Sequence, residues 1–327
     1  MANKLRVAVL YGGRTGEHEI SLRSAESIIA AMDPERYAVQ RILITPDGNW
    51  EPRAISPEPR GNPEIDVVFP VLHGTFGEDG TVQGLLELAG LPYVGAGVLA
   101  SAASMDKEVM KRLMAERGLP VVDYLVVTRG DYQPEEICSR FGFPFFVKPA
   151  NLGSSVGISK VKSCEEVSAA LALAGEFDRK ILIERGIAGR EFECAVLGND
   201  QPLAAVPCEI LPSREFYDYE DKYILNQAKT VVPANLTPEQ TAEMQRLAVA
   251  GFQAVDCEGM ARVDFLLESA TQKFFINEIN TIPGFTSISM YPKMWEASGM
   301  PFASLVDRLI ELALERHRTR QKTRYAR

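Results

Sequence analysis

Short apolar runs alternate with helical patterns in the N-terminal part of the chain. Residues 5–10 form a short, mostly apolar run, typical of a buried strand, and apolar positions at helical spacing follow from Leu22 to Met32. Residues 66–71 repeat the pattern, with a helix that ends near Ala89. Strands that alternate with helices are typical of a parallel sheet covered by its connecting helices. We therefore predict an α/β unit at the N-terminus.

Strand-like runs become more frequent after residue 97. We predict strands at residues 143–149, 180–184 and 191–197 with one more that ends at 161, and helices at 106–117, 163–174, 237–255 and 302–317. Ser163–Glu166 and Thr237–Gln240 fit the capping box, so each is expected to begin a helix. Residues 211–232 have no periodicity and are predicted to be a functional loop, or lid. A proline-containing loop is expected after Ser289.

Two apolar strands with polar interruptions are predicted near the C-terminus, at residues 260–267 and 273–280. The five residues between them suit a hairpin loop. Strict alternation of side chains along the second strand would place four residues on one face, namely Phe274, Ile276, Glu278 and Asn280. This hairpin would bring polar side chains of both strands together.

The polar side chains of the hairpin have the chemistry of a magnesium site. Asp264, Glu278 and Asn280 offer three hard oxygen ligands, and Arg262 adds a guanidinium beside them. Carboxylate and amide oxygens without Cys or His suit Mg²⁺ and the phosphates that it bridges. The alternative is a solvated hairpin face with ordinary surface charges.

Two further candidates lie where N-terminal strands end. Residues 11–21 form a glycine-rich turn that carries Glu17, and His73 follows the strand at 66–71. Ligands of open α/β sheets bind at the carboxyl ends of the strands. A tight turn and a structural histidine are the simpler interpretations. An NAD-dependent oxidoreductase would rest on this first unit alone, and its glycine spacing is not G-x-G-x-x-G.

Cationic and glycine-rich features suggest a phosphate site in the middle of the chain. Lys107 lies in the first turn of a helix, where the helix dipole disfavours a cation unless an anion is close. Lys148 ends a strand, and the loop that follows contains Ser154 and Ser155 between glycines. Such a loop can cover phosphates with N–H and hydroxyl groups. It is not a Walker A loop, because Ile158 follows Gly157 where a lysine would stand.

Composition narrows the class of protein. The net charge of −9 argues against a nucleic-acid binder, and no apolar run approaches the ~18 residues of a membrane span. Five cysteines without C-x-x-C spacing predict buried free thiols in a reducing cytoplasm. The N-terminus lacks a signal-peptide pattern, which also favours the cytoplasm. Residues 316–327 hold six Lys/Arg and no acid, and we expect a solvated, frayed tail.

With these motifs in order, the chain resembles the bacterial D-alanine–D-alanine ligases of the ATP-grasp superfamily, from Leu5 to about Leu314. The matching motifs follow the order of the family along the chain: Gly12-Gly13 with Glu17-His-Glu-Ile-Ser21, Leu72-His-Gly-Thr-Phe-Gly-Glu-Asp-Gly-Thr81, Ser104-Met-Asp-Lys107, Val147-Lys-Pro149 with Gly153-Ser-Ser-Val-Gly157, Phe216-Tyr-Asp-Tyr-Glu-Asp-Lys-Tyr223, Arg262-Val-Asp264 and Glu278-Ile-Asn-Thr-Ile-Pro-Gly284.

The resemblance implies an α/β (α+β) protein with a three-domain ATP-grasp fold. Residues 1–96 would be a Rossmann-like D-alanine domain, 97–184 a central domain with the phosphate flap, and 185–327 a domain with the metal site and lid. ATP would phosphorylate one D-alanine carboxylate, and the amine of a second D-alanine would attack the acyl phosphate. A cytoplasmic homodimer is expected. The alternative is an ATP-grasp ligase with another second substrate, such as D-lactate.

The family also implies the ligands of ATP and metal. Asp264, Glu278 and Asn280 would hold two Mg²⁺ (or Mn²⁺) ions. ATP would be bound by ten residues along the chain: Lys107, Lys148, Ser154, Ser155, Glu184, Arg185, Ile187, Glu191, Lys222 and Glu278. Arg185 stands where some relatives have lysine, so the resemblance does not decide one contact, to adenine or to a carbonyl group.

Substrate contacts are implied in the same way. Glu17 would hold the first ammonium and link through Ser154 to Tyr223 on the lid. Relatives that make D-alanyl-D-lactate lack this tyrosine, so Tyr223 favours an amine nucleophile.

The remaining substrate residues follow the turn after the hairpin. Arg262 and the Gly284 N–H would stabilise the oxyanion, Ser289 would bind the second carboxylate, and His73 is a further substrate candidate. A nucleotide-binding regulator without catalysis is disfavoured, since Arg262, Lys222 and all three metal ligands are present.

Overall fold

The N-terminal strands form a mostly parallel sheet. In this computed structural model, which describes residues 4–153, 156–211 and 229–324, the first elements are β1 (Leu5–Gly12), α1 (His18–Ala31), β2 (Tyr37–Ile44), β3 (Trp50–Glu51), β4 (Val67–Val71), α2 (Thr81–Ala89) and α3 (Val98–Met105). The strand order is β3-β2-β1-β4, and β1 pairs in parallel with both β2 and β4. The predicted α/β unit is confirmed.

Helices cover both faces of this sheet. Val7 and Val9 of β1 pack with Ile28 of α1 on one face, while Ala8 and Leu10 belong to the core on the other face. A strand buried on both sides requires apolar residues on both faces, which explains why residues 7–10 lack alternation.

A second sheet follows, with antiparallel strands. Its elements are α4 (Lys107–Glu116), β5 (Tyr124–Thr128), α5 (Pro134–Arg140), β6 (Phe145–Pro149), β7 (Ser159–Val161), α6 (Val167–Phe177) and β8 (Lys180–Arg185), in the sheet order β5-β8-β6-β7. The capping box predicted at Ser163 is wrong: a short 3₁₀-helix, Cys164–Glu166, precedes α6, and the Ser163 side chain does not cap it. The Glu166 carboxylate instead accepts the Lys162 N–H at 2.8 Å.

The third sheet carries the predicted hairpin. Its elements are β9 (Gly189–Gly198), β10 (Leu203–Ala204), β11 (Cys208–Leu211), β12 (Lys229–Val231), α7 (Pro238–Ala254), β13 (Gly259–Glu268) and β14 (Phe274–Asn280), followed by α8 (Met290–Ala297) and α9 (Phe302–Arg320). The main strand order is β12-β11-β9-β13-β14. Thr237 and Gln240 form the predicted capping box with Pro238 in the first turn.

Two predictions around this sheet need correction. The segment predicted as a loop at 211–232 has strand at its described ends, because Leu211 closes β11 and Lys229–Val231 forms β12; residues 212–228 lie outside the described residues. The proline-containing segment after Ser289 is not a loop but begins α8. Pro292 is its third residue, where the missing N–H would have no partner inside the helix.

The predicted hairpin forms, but one face assignment is wrong. Asp264 pairs with Glu278 and Arg262 with Asn280, and a β-bulge shifts the register just beyond Asp264. Phe274, Ile276 and Ile279 all lie in the core against α7. The extra residue, Asn277, therefore reverses the alternation and turns Glu278 and Asn280 away from the core.

The C-terminal basic segment is not a frayed tail over its first part. Residues 316–320 belong to α9, and Arg316 is buried, with one guanidinium N–H donated to the Tyr93 carbonyl oxygen at 2.7 Å. Arg320 pairs with Glu87 and with Glu258. These contacts join α9 to the first sheet and to the start of β13.

The cysteine prediction is half right. Cys194, Cys208 and Cys257 are buried free thiols, whereas Cys138 and Cys164 form a disulfide between α5 and the short 3₁₀-helix. Their separation of 26 residues gave no sign of this pairing, which arises because the two segments pack together. The disulfide removes part of the argument for a reducing compartment. Among the described residues, no helix is both long and apolar enough to cross a bilayer.

Candidate active site

A cavity of about 420 Å³ lies where the first sheet, the start of α4 and the hairpin meet. Its lining contains eight of the residues predicted from the sequence: Glu17, His73, Lys107, Arg262, Glu278, Asn280, Gly284 and Ser289. These residues come from segments as far apart as the β1–α1 turn and the N-terminus of α8. Their convergence makes this cavity the candidate active site.

The polar face of the hairpin presents the predicted metal ligands in adjacent register positions. Asp264 and Glu278 are direct cross-strand partners, and Asn280 lies opposite Arg262. The Asn280 amide oxygen accepts the Ile282 N–H at 3.1 Å, and a carbonyl oxygen has a second lone pair for another partner. Two carboxylates and one amide oxygen on a shared face fit a hard divalent cation that also takes phosphate oxygens.

Arg262 is held against the acidic side of this face. Its Nε and Nη2 donate to the two carboxylate oxygens of Asp264 at 2.7 and 2.6 Å. The Glu193 carboxylate lies 3.4 Å from the same Nε. Burial alone would lower the pKa of Arg262, but Asp264 and Glu193 outweigh it and raise that pKa well above its usual value. The guanidinium is therefore a permanent positive charge at the cavity wall.

Lys107 connects the loop after β6 with the hairpin. Its ammonium donates to the Leu152 carbonyl oxygen at 2.7 Å and lies 3.8 Å from the Glu278 carboxylate. Asp106 caps this helix with its side chain. A carboxylate thus lies close to the helix-start lysine, which offsets the unfavourable position of a cation near the positive end of the helix dipole.

A buried cluster of two lysines and one glutamate joins α4, β6 and β8. Lys111 is completely buried and lies 2.7 Å from the Glu184 carboxylate, whose other oxygen pairs with Lys148. Burial alone would raise the pKa of Glu184, yet the two ammonium groups outweigh it and lower that pKa to about 2. Two cations around one carboxylate leave an excess positive charge in a buried position, which suits a phosphate.

Glu184→Gln is expected to make the free energy of unfolding less dependent on pH. The pKa of Glu184 falls from an ordinary 4.5 to about 2 in the folded protein. The ion pairs therefore stabilise the fold above about pH 4.5 and lose this effect as the pH falls towards 2, a loss on the order of 3 kcal/mol in full. Urea unfolding of both proteins between about pH 3 and 7 measures it. A difference in stability that stays constant across this range would contradict the assignment.

Two carboxyl groups lie at the predicted ammonium site. Glu78, which we did not predict, is buried and accepts the Gly74 N–H at 2.9 Å. Burial and then repulsion from Glu17 raise the pKa of Glu78 well above its usual value. The raised pKa of Glu78 weakens the repulsion between the two neighbouring carboxyl groups.

His73 lines the cavity and also forms hydrogen bonds that hold the neighbouring turn in place. Its Nδ1 lies 2.9 Å from the Ile282 carbonyl oxygen and must donate to it, which leaves Nε2 to accept the Ser24 hydroxyl at 3.3 Å. The Ser24 oxygen in turn accepts the Phe285 N–H at 3.2 Å. Burial lowers the pKa of His73, in agreement with a neutral ring. The ring therefore holds both sides of the Gly284 turn.

The turn after β14 brings Gly284 and Ser289 together. The Ser289 hydroxyl oxygen accepts the Thr286 N–H at 3.0 Å. A methyl group at position 284 would lie only 2.8 Å from that oxygen, so any larger residue would push the Ser289 side chain away. Glycine here keeps the hydroxyl and the backbone N–H on the same wall of the cavity.

Comparisons with known proteins agree with this arrangement. The family model described as the D-ala D-ala ligase C-terminus matches residues 113–311, and that of the D-ala D-ala ligase N-terminus matches residues 6–64 and 52–96. A D-alanine–D-alanine ligase from Solibacter usitatus is 66% identical over 324 residues, which are 99% of this chain and 100% of the relative. The chain belongs to the D-alanine–D-alanine ligase family.

Solved structures support the same assignment. The D-alanine–D-alanine ligase of Coxiella burnetii has a TM-score of 0.87 at 39% identity, covering 98% of this chain and 97% of that one. The D-Ala:D-Ser ligase VanG of Enterococcus faecalis has a TM-score of 0.88 at 35% identity, covering 95% and 100%. The predicted ATP-grasp fold and ligase class are confirmed, and the D-lactate alternative is not favoured.

Several predicted residues of this family member do not line the cavity. They are Lys148, Glu184, Arg185, Ile187, Glu191 and Asp264. The Arg185 guanidinium pairs with Glu268 at 2.7 Å, and Ile187 lies in the turn between β8 and β9. Four others, Ser154, Ser155, Lys222 and Tyr223, lie outside the described residues. The roles of both groups stay predictions.

Sequence reasoning also missed residues of the ligase site. Lys111 was not singled out, although its spacing of four residues from Lys107 places the two lysines on one helix face. Arg23 and Lys293 line the cavity on α1 and α8, and neither forms an ion pair with another described residue. Glu193, on β9, had no signal beyond a carboxylate inside an apolar strand.

Proposed function

We propose that the cavity holds both substrates of an ATP-dependent ligation of two D-alanine molecules into D-alanyl-D-alanine, with release of ADP and phosphate. The observation that carries this proposal is the position of Arg262, Glu278 and Asn280 in one cavity with Glu17 and Ser289. Acyl phosphate chemistry requires a group that binds the substrate carboxylate, a donor to the oxyanion, and a set of ligands for phosphate and metal.

The first step makes the carboxylate a usable acyl donor. A carboxylate oxygen of the first D-alanine, with its ammonium held by Glu17, attacks the γ-phosphorus of ATP, and ADP leaves. Lys107, Lys148 and Lys222 neutralise phosphate charge during this transfer. A divalent cation at Asp264, Glu278 and Asn280 would supply the remaining positive charge. We propose Mg²⁺ in two positions, with Mn²⁺ as a substitute.

The second step joins the two amino acids. The free amine of the second D-alanine attacks the acyl carbon, loses a proton, and the phosphate leaves. Negative charge develops on the former carbonyl oxygen, where Arg262 and the Gly284 N–H stabilise it. Tyr223 and Ser154 link Glu17 to the lid in this proposal. Ser289 binds the second carboxylate, and Lys293 adds a cation beside it.

Lys293→Met is expected to raise the KM for the second D-alanine about tenfold, with the KM for ATP unchanged, because a charge-assisted contact contributes about 1.5 kcal/mol or more. Initial rates of ADP release, measured over a range of D-alanine concentrations, separate the two substrate sites. Met keeps the apolar length of the lysine stem. Lys322→Met, at an exposed position beyond α9, is the matched control.

The same assay tests the function itself. ADP release should require D-alanine, and L-alanine should not replace it. D-Lactate and D-serine are compared as second substrates in the presence of D-alanine, since VanG is a D-Ala:D-Ser ligase. Absence of ADP release with D-alanine and Mg²⁺ would refute the proposed function, whereas an unchanged Lys293→Met would refute only that contact.

Three further parts of the proposal concern the whole molecule. We propose three domains at residues 1–96, 97–184 and 185–327, which agree with the separate sheets of the fold. We propose a homodimer, which sedimentation of the 36.1 kDa chain tests. A cytoplasmic location is proposed because ATP is a substrate, and fractionation of cells tests it.

A further inference from the structure

Two carboxylates from different strands bracket the Arg262 guanidinium. Asp264 holds it through two hydrogen bonds of 2.7 and 2.6 Å. Glu193 approaches the same Nε from β9 at 3.4 Å. Glu193 and Asp264 are direct cross-strand partners, so the two carboxylates lie side by side on the face of the sheet that forms the cavity wall.

The neighbours of Glu193 fix the direction of its side chain. Phe192 and Cys194 are fully buried in the core against α7, and side chains of a strand alternate between faces. Glu193 therefore points to the opposite face, where it lines the cavity although it is only 6% exposed. A carboxylate that is buried to this degree is costly unless a cation faces it, and Arg262 is such a cation.

Asp264 has a second task in the proposed function, which Glu193 does not share. A carboxylate that turns an oxygen towards a cation weakens its two-bond hold on a guanidinium. Glu193 is not among the proposed metal ligands, so its contact with Arg262 does not compete with metal binding in the proposed function.

We propose that Glu193 is a positioning residue that keeps Arg262 directed at the developing oxyanion while Asp264 binds the metal. The proposal rests on the oxyanion role of Arg262 stated above. Without Glu193 the guanidinium would keep its charge but lose its second fixed contact, so the effect falls on the transition state and not on nucleotide binding.

Glu193→Gln is expected to lower kcat by about tenfold or more, while the KM for ATP and the Kd for ADP stay within about twofold. A phosphinate analogue of the tetrahedral intermediate should bind more weakly by a similar factor, measured by calorimetry. Glu209→Gln is the matched control. Glu209 is also buried in this sheet and pairs with Arg190 at 2.7 Å, but it lies outside the cavity lining. The control should lose thermal stability without losing kcat.

A double-mutant cycle with Arg262→Lys decides whether Glu193 acts through Arg262. We expect Glu193→Gln to change kcat by less than about twofold in that background. An equal loss in both backgrounds, or a kcat of Glu193→Gln within twofold of the unmodified enzyme, would overturn the proposal. If Arg262→Lys alone is fully active, the oxyanion role fails first. If Glu193→Gln does not fold, Glu193→Asp, which shortens the side chain, is judged by the same criteria.

Discussion

Glu278→Gln is expected to lower kcat by about 10²–10³ with little change in melting temperature. Glu278 is one of two carboxylates on the metal face, and its side chain is 28% exposed, so the fold loses little when the charge is removed. The amide cannot supply the negative charge that holds a divalent cation next to the phosphates. The reaction is followed as ADP release over a wide range of Mg²⁺ concentration. The midpoint in Mg²⁺ should rise together with the loss of kcat.

Glu258→Gln is the control for this prediction. Glu258 immediately precedes β13 and pairs with Arg320 at 3.2 Å, far along the strand from the hairpin oxygens. It should keep kcat and the Mg²⁺ midpoint. Unchanged turnover in Glu278→Gln would show that the metal lies elsewhere.

Arg262→Lys is expected to lower kcat by about 10², with the KM for ATP within about threefold. Lysine keeps the charge that Asp264 and Glu193 require, but it lacks the planar fork that donates to Asp264 and to an oxyanion at once. The amine attack should suffer more than the phosphorylation, so ADP should form in excess of dipeptide as the acyl phosphate is hydrolysed. Both products are measured in the same reaction.

Arg190→Lys is the matched control, because Arg190 lies in the same sheet and pairs with buried Glu209. It should lose stability and keep one ADP per dipeptide. If Arg262→Lys retains full kcat, the oxyanion is stabilised by another group.

Much of this site was predictable because strand patterns place side chains regularly. The hairpin followed from two apolar runs and a short loop, and Asp264 and Glu278 converge across it as predicted. The face of Glu278 was not predictable, because the sequence around Asn277 reads as a regular strand with or without a bulge. Packing against α7, which fixes Phe274 and Ile276, decides it.

The burial of several charged residues could not be predicted from the sequence either. Lys111 has the sequence pattern of a solvated helix position, yet it is completely buried because Glu184 lies beside it. Glu78 and Glu193 likewise show their roles only through partners distant in sequence. The Cys138–Cys164 disulfide also depends on tertiary packing. The same holds for α8, where packing outweighs the loop that Pro292 suggested.

The bulge at Asn277 also bears on how the hairpin can change in length. Because the core fixes Ile276 and Ile279 on the two sides of the bulge, removal of Asn277 would restore regular pairing with Glu278 still opposite Asp264. Removal of one residue after Asn277 would instead turn Asn280 towards the core. Residues 269–272 lie in the exposed loop, where an insertion leaves the strand phase intact. We therefore expect length variation among descendants of this chain to collect in that loop, while the few residues after the bulge tolerate substitution more readily than insertion or deletion.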